Sequence, residues 1–234
     1  MLVGQSFECD YHATDDTFVA RNCHFKDFHT SKNAHLEDCT ARCAHAHSLE
    51  VFKGKYSRVI ADDHVSADQV HITDTIKGSF VQADKSSINT IEAHFGASIT
   101  NTNFKVAIVS EGTFYFSSVE RVVAHEIKAK DKIVVSNIEV SRVESEKSIQ
   151  IVNSIAINVI AYNVLCGIDS QIENATVHVT HDKPQIELYN TEVKTLTLIG
   201  TAPFTPLIYG TKTFNYKIVL NNPVPAIPDD LSSK

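Results

Sequence analysis

Tryptophan is absent, methionine occurs once, and only 8 glycines and 6 prolines punctuate the 234 residues. Glycine this scarce, without a three-residue period, excludes a collagen-like or low-complexity chain. No apolar run approaches the roughly 20 residues of a membrane-spanning helix, so no membrane span is expected. The first ten residues, MLVGQSFECD, carry neither a basic segment nor a long apolar one, and no secretory signal is read there. Cysteine is sparse and odd in number: 5 in all, with Cys9, Cys23, Cys39 and Cys43 in the first 43 residues. That count, without a secretory signal, argues against a disulfide framework and for a reducing, cytoplasmic location. The net charge is −7 and the lysines are scattered beside acids, so the basic footprint of a nucleic-acid binder is missing. So are GxxxxGK[ST], GxGxxG and GxSxG. Helical spacing is missing too, since no segment sustains apolar residues at i, i+3, i+4 and i+7 between caps. Asn174-Ala175-Thr176 matches a glycosylation sequon, read as incidental where no secretory signal precedes it.

What is present is repetition. Ile133-Val134-Val135-Ser136-Asn137 returns as Ile149-Gln150-Ile151-Val152-Asn153, and 149 − 133 = 16 residues. The pattern apolar-x-apolar-x-Asn/Asp, with degenerate copies, puts turn residues at 22, 38, 53, 74, 101, 118, 137, 153, 174 and 190. The gap from 74 to 101 breaks an otherwise regular spacing, and a weak further copy sits near Ile88–Ile91. Period-2 alternation sends one side of each strand inward, so Val135 and Ile151 should face a common core. A coil this short cannot bury its apolar side alone and must stack on its neighbours. Asn and Asp suit the turns because they tolerate the left-handed conformation. The expected fold is all-β, a parallel β-helix or solenoid of about 16–21 residues per coil with capped ends. A β-sandwich is the competing arrangement. Residues 1–17 read as an N-terminal cap, 18–200 as the solenoid, and 201–234 as a C-terminal strand and tail. Within the last segment Thr211–Leu220 is expected to run antiparallel over the final coil. The tail Asn221–Lys234, with Pro223, Pro225 and Pro228, is expected to be extended, after Pro203 and Pro206 have ended the repeat.

The Asn-terminated strands, IVVSN at 133–137 and IQIVN at 149–153, resemble those of right-handed parallel β-helix proteins. Two groups within that class are similar: the adhesin-head, or GIN-type, domains of bacterial surface proteins, and the bactofilins. The first resemblance implies a surface-binding role, the second end-to-end polymerisation. It covers about residues 18–200 and rests on periodicity, so no catalytic residue is carried over. The export signal usual in adhesin heads is missing, and bactofilin coils are richer in glycine, with bare ends.

Four constellations could carry chemistry. Six of the 12 histidines lie in the first 47 residues. In the register above, His35, Glu50 and His71 share an outward column at about 5 Å per coil, with Glu37 on the same face. This is a metal patch, an acid/base set or a decorated solvent face. His45 and His47 share a face about 6–7 Å apart, a workable spacing for zinc, with His64 or Asp68 as a third ligand from the next coil. Cys23 and Cys39 each follow a turn residue and read as an inward ladder, since Cys39 and Cys43 would lie about 13 Å apart on one strand. Asp62, Asp63, His64 and Asp68, with Arg58 nearby, are the only cluster that suggests a glycan-cleaving groove.

The leading expectation is a non-enzymatic scaffold or binding module for protein or glycan. Its outward column would run through Val19, His35, Glu50, His71, Tyr115, Val134, Gln150 and Glu187. An apolar Tyr115–Val134 patch there would serve as a contact site or a homo-oligomer interface. The alternatives are a carbohydrate-active lyase or hydrolase and a self-assembling filament protein.

Overall fold

The computed structural model describes residues 1–8, 10–14, 16–180, 184–201 and 207–220, without the side chains of 207–216 and 220. Cys9, Pro203, Pro206 and the tail 221–234 lie outside the described residues. The chain winds into a parallel β-solenoid of about 12 turns, and among the described residues there is no helix. No helix is therefore long and apolar enough to cross a membrane.

Most coils have three short legs with two inward residues apiece, and the third legs near the C-terminus bury three, as in Ala175, Val177 and Val179. In Lys132–Ser145 the inward residues are Ile133 and Val135, Ile138 and Val140, then Val143 and Ser145. Ile133 pairs with Ile149 and Val135 with Ile151, as the 16-residue period predicts. Fully burying such a side chain is worth about 1.5–3 kcal/mol. Because each coil repeats the pattern, one apolar core runs through the stack.

The corner between the first and second legs turns on a single left-handed residue. Asn22, Asp38, Lys53, Gln69, Lys85, Asn101, Asn137, Asn153, Asp169 and Asn190 all have φ between 44° and 57°. That conformation costs an L-residue roughly 1–2 kcal/mol, least for Asn and Asp. In most coils the next residue is small, polar or thiol-bearing and buried: Cys23, Cys39, Ser86, Thr102, Ser154, Ser170 and Thr191. Ser154 Oγ donates to Val152 O at 2.6 Å and accepts the Ile138 N–H of the preceding coil at 3.0 Å. Ser170 does the same with Ile168 O at 2.7 Å and Ser154 N–H at 3.2 Å. Thr191, Ser86 and Thr102 repeat the arrangement. These hydroxyls stand in where the strand ladder is interrupted. Outside the same corner, Asn153 Nδ2 donates to Asn137 Oδ1 and Asn190 Nδ2 to Asp169 Oδ1.

Two expected turns are misplaced. The one read at Asp74 is replaced by Gln69 and Lys85, so the long gap resolves into equal steps (69 − 53 = 16, 85 − 69 = 16, 101 − 85 = 16). The one read at Asn174 falls at Asp169. In both places the pattern had caught the second leg, whose inward residues Val70 and Ile72, or Ser170 and Ile172, alternate just as the first leg does. At a third corner, Ser118–Arg121 replace the single turn residue, and the register shifts between Ser117 and Val122. This insertion is pinned by Asn101 Oδ1, which accepts Val119 N–H at 3.0 Å, and by Asn137 Nδ2, which donates to Ser118 O.

The ends continue the winding. Leu2–Val3, Ser6–Phe7 and Tyr11–Ala13 pair in parallel with Thr17–Arg21 and His24–Thr30, so the segment read as a cap adds short parallel strands to the end of the stack. Its Leu2, Phe7, Tyr11 and Ala13 pack on the core, with Phe7 stacked on Phe25 at 5.2 Å. Leu207–Leu220 pairs in parallel with Gln185–Gly200, which corrects the antiparallel expectation. Its offset (207 − 185 = 22, 211 − 191 = 20) matches the coil before it (185 − 164 = 21), so the strand is one more winding rather than a return.

Two substitutions test this account by chemical denaturation. Val135→Asp places an unpaired carboxylate in the core and should cost several kcal/mol, about 3 or more, or abolish folding; an unchanged denaturation midpoint would contradict the inward assignment. Ser154→Ala orphans the Ile138 N–H and should cost about 1–3 kcal/mol. Ser154→Cys, which puts at this corner the group that Cys39 supplies at its own, should cost less.

Candidate functional site

Most large aromatic side chains lie in the core, among them Phe18, Phe25, Phe28, Phe104, Phe114 and Phe116. Among the described side chains Phe80, Phe95, Tyr115 and Tyr189 are the most exposed aromatics, at 47%, 47%, 49% and 50%, and the first three come together. Phe80, Gly96 and Thr113 pair across successive coils at the start of the first leg, with Gln82, Ser98 and Tyr115 two residues further along. Phe95 projects from the preceding corner, its ring 5.7 Å from that of Phe80 and 4.1 Å from that of His94. The result is a groove of ≈ 400 Å³ lined also by His64, with no Asp, Glu, Lys or Arg in its walls.

Two glycines make the groove. Gly96 forms its floor: a Cβ there would meet nothing closer than Thr113 O at 3.5 Å and Phe80 Cδ1 at 3.7 Å, so the space is open for lack of a side chain. At Gly112 a Cβ would run into the carbonyl oxygen of Phe95. Only glycine lets the coils approach there, and that approach fixes where Phe95 stands.

Of the residues singled out from sequence, Tyr115 lines this groove, and Val134 sits beside it on the next coil. His35 and Glu50 are neighbours as expected, with Nδ1 and Oε2 3.1 Å apart. Glu37 is taken up by Arg21 at 2.7 Å. His71 does not share their column. Ser66 follows Glu50, and His71 pairs with Lys55 and Ser87 on the second leg, because Gln69 rather than Asp74 is the corner. The trio His45, His47 and His64 is dispersed. His45 faces outward from the third leg with Nε2 3.0 Å from Asp62 Oδ1. His47 sits exposed at the following corner, its N–H bonded to Lys32 O, and His64 lines the aromatic groove. Among the described residues no three His, Cys, Asp or Glu side chains are grouped so as to hold a metal ion.

The acidic cluster is split as well. Asp62 faces a groove of ≈ 430 Å³ with Lys77, Glu92 and His94, whereas Asp63, Asp68 and Arg58 do not line it. Asp68 pairs with Phe52 on the first leg and Arg58 with Cys43 and Thr75 at the second corner. Sequence reasoning missed Phe80 and Phe95, whose exposure follows from the corner geometry. It also missed His12 and His29, which share the outward column of His45. The histidine spacing held that signal: 29 − 12 = 17 and 45 − 29 = 16.

Cys23, Cys39 and Cys43 are buried free thiols. Cys23 Sγ and Cys39 Sγ donate to Arg21 O at 3.3 Å and Glu37 O at 3.2 Å, the same two-residues-back bond that the corner hydroxyls make. Burial pushes the Cys39 thiol up to about 11, so it is a structural group rather than a nucleophile. No family model matches the chain, and no curated protein or solved structure is significantly similar to it.

Because the folded pKa of Cys39 lies above its ordinary value, the contribution to stability is complete below the ordinary thiol range and is lost as pH rises through about 11. At mildly alkaline pH a thiol reagent should modify Cys39 only after denaturant is added. Peptide mapping of the labelled protein would read this, and labelling in the native state at the rate of a free thiol would contradict the closed corner.

Proposed function

We propose that the protein is a non-enzymatic β-solenoid scaffold that binds a glycan in the Phe80–Phe95–Tyr115 groove. The observation that carries this reading is the convergence of three half-exposed aromatic rings in a groove without charged walls. Exposed apolar groups gathered in one patch are the usual mark of a contact surface. An aromatic face offers a stacking platform to the C–H face of a sugar ring. Gln82, Ser98 and Thr113 border the rings with uncharged donors and acceptors suited to hydroxyl groups. A neutral saccharide needs both features and no counter-charge. The groove is built on strands held in register by coils on either side, so little order has to be gained on binding.

The test is a titration of the whole chain against a panel of neutral oligosaccharides, read by calorimetry. Phe95→Ala and Tyr115→Ala should each weaken binding about tenfold, equivalent to about 1.4 kcal/mol. Gly96→Leu fills the floor without backbone strain and should abolish it. Wild-type affinity in Gly96→Leu would move the ligand elsewhere. A peptide ligand displaced by Gly96→Leu, with no saccharide bound, would replace the glycan by a protein partner.

A further inference from the structure

The N-terminal coils carry a column of imidazoles that the glycan reading does not use. Tyr11–Ala13 pairs with His24–Thr30 so that His12 lies opposite His29, and His29 lies opposite His45 on the next coil. All three point outward from the third leg, His12 exposed and the other two half-buried. Ring centroids are 5.3 Å apart from His12 to His29 and 6.1 Å from His29 to His45. The column then ends, because Ile60 is the partner of His45 on the following coil.

We propose that this column binds a divalent transition-metal ion, chelated by two imidazoles from neighbouring coils. Zinc takes imidazole nitrogen at about 2.0–2.1 Å, and two rings on one tetrahedral ion have centres about 5 Å apart. The solenoid fixes the backbone spacing of adjacent rungs at about 4.8 Å, so the pair is preset and only side-chain torsions adjust. His45 has a further feature of a ligand. Its Nε2 is 3.0 Å from Asp62 Oδ1, which leaves Nδ1 as the free nitrogen and gives the ring the carboxylate support common to metal-bound histidines. Since among the described residues no three such groups gather at one point, the column supplies two protein ligands and water completes the sphere. Imidazole pairs of this kind select zinc, copper or nickel over magnesium or calcium.

The experiment is a titration of the full chain with zinc chloride by calorimetry at about pH 7.5, repeated near pH 5.5, where imidazoles take up protons. Saturable binding is expected at the higher pH and much weaker binding at the lower. His29→Ala removes the rung common to both pairs and should weaken binding about tenfold or more. His12→Ala or His45→Ala alone leaves one pair intact, and each should bind. The double variant leaves His29 without a neighbour and should behave like His29→Ala, which keeps the test decisive if either variant folds poorly. His47→Ala, off the column, should match the wild type. Absence of saturable binding, undiminished binding in both the double variant and His29→Ala, or an equal loss in His47→Ala would overturn the proposal. None of these outcomes bears on the aromatic groove.

Discussion

The fold depends on the first corner of each coil. A strand ladder needs every N–H and C=O paired, and a sharp turn on one left-handed residue breaks that pairing once per coil. At Ser86, Thr102, Ser154, Ser170 and Thr191 the inward residue that follows repairs it: its hydroxyl bonds the carbonyl two residues back and takes the orphaned N–H of the coil before. An unsatisfied buried N–H costs about 1–3 kcal/mol, and the corner recurs along the whole stack. Thiols do half of this work at Cys23 and Cys39. The chain uses Asn, Asp, Lys and Gln where many turns would use glycine, and the same corner chemistry recurs in most coils.

Regularity then makes departures informative. Where Ser118–Arg121 replace one corner residue, the asparagines on either side hold the extra chain. Where Gly112 lets two coils come closer than a side chain would allow, Phe95 is carried out to the surface beside Phe80. In the coil that follows Phe80 the inward places are held by Val81, Ala83, Ser86, Ile88, Ile91 and Ala93, and the ring lies outside them. The exposure of these rings is a local cost that the regular coils on either side sustain.

The same regularity turns a period in sequence into contact in space. His29 and His45, 16 residues apart, stand side by side, as do His35 and Glu50. Arg42 and Asp27 form a bidentate pair in the same way, with Arg42 Nε 2.9 Å from Asp27 Oδ1. The Arg42 hydrogen bonds hold the Asp27 carboxyl below the usual carboxylate range. In such a fold a site is a column, and its members are found by counting the coil length from one outward residue to the next.

The period, the inward set through Val135 and Ile151, the parallel stack and the place of most corners were written in the sequence, because alternation and corner preference are local properties. The leg on which each strand lies was not. Every leg buries alternating residues, so Val70-His71-Ile72 looked like a first leg until Gln69 and Lys85 took the left-handed positions. That one-leg error moved His71 into the wrong column, while the two-residue spacing of His45 and His47 concealed the corner between them. The rings of Phe80, Phe95 and Tyr115 are far apart in sequence, and the aromatic groove exists only through register, coil offset and the missing side chain at Gly96. Sequence therefore determined that the chain must wind and what each coil must bury. Only the tertiary stack decided which outward residues meet, because that depends on the cumulative offset of every coil between them.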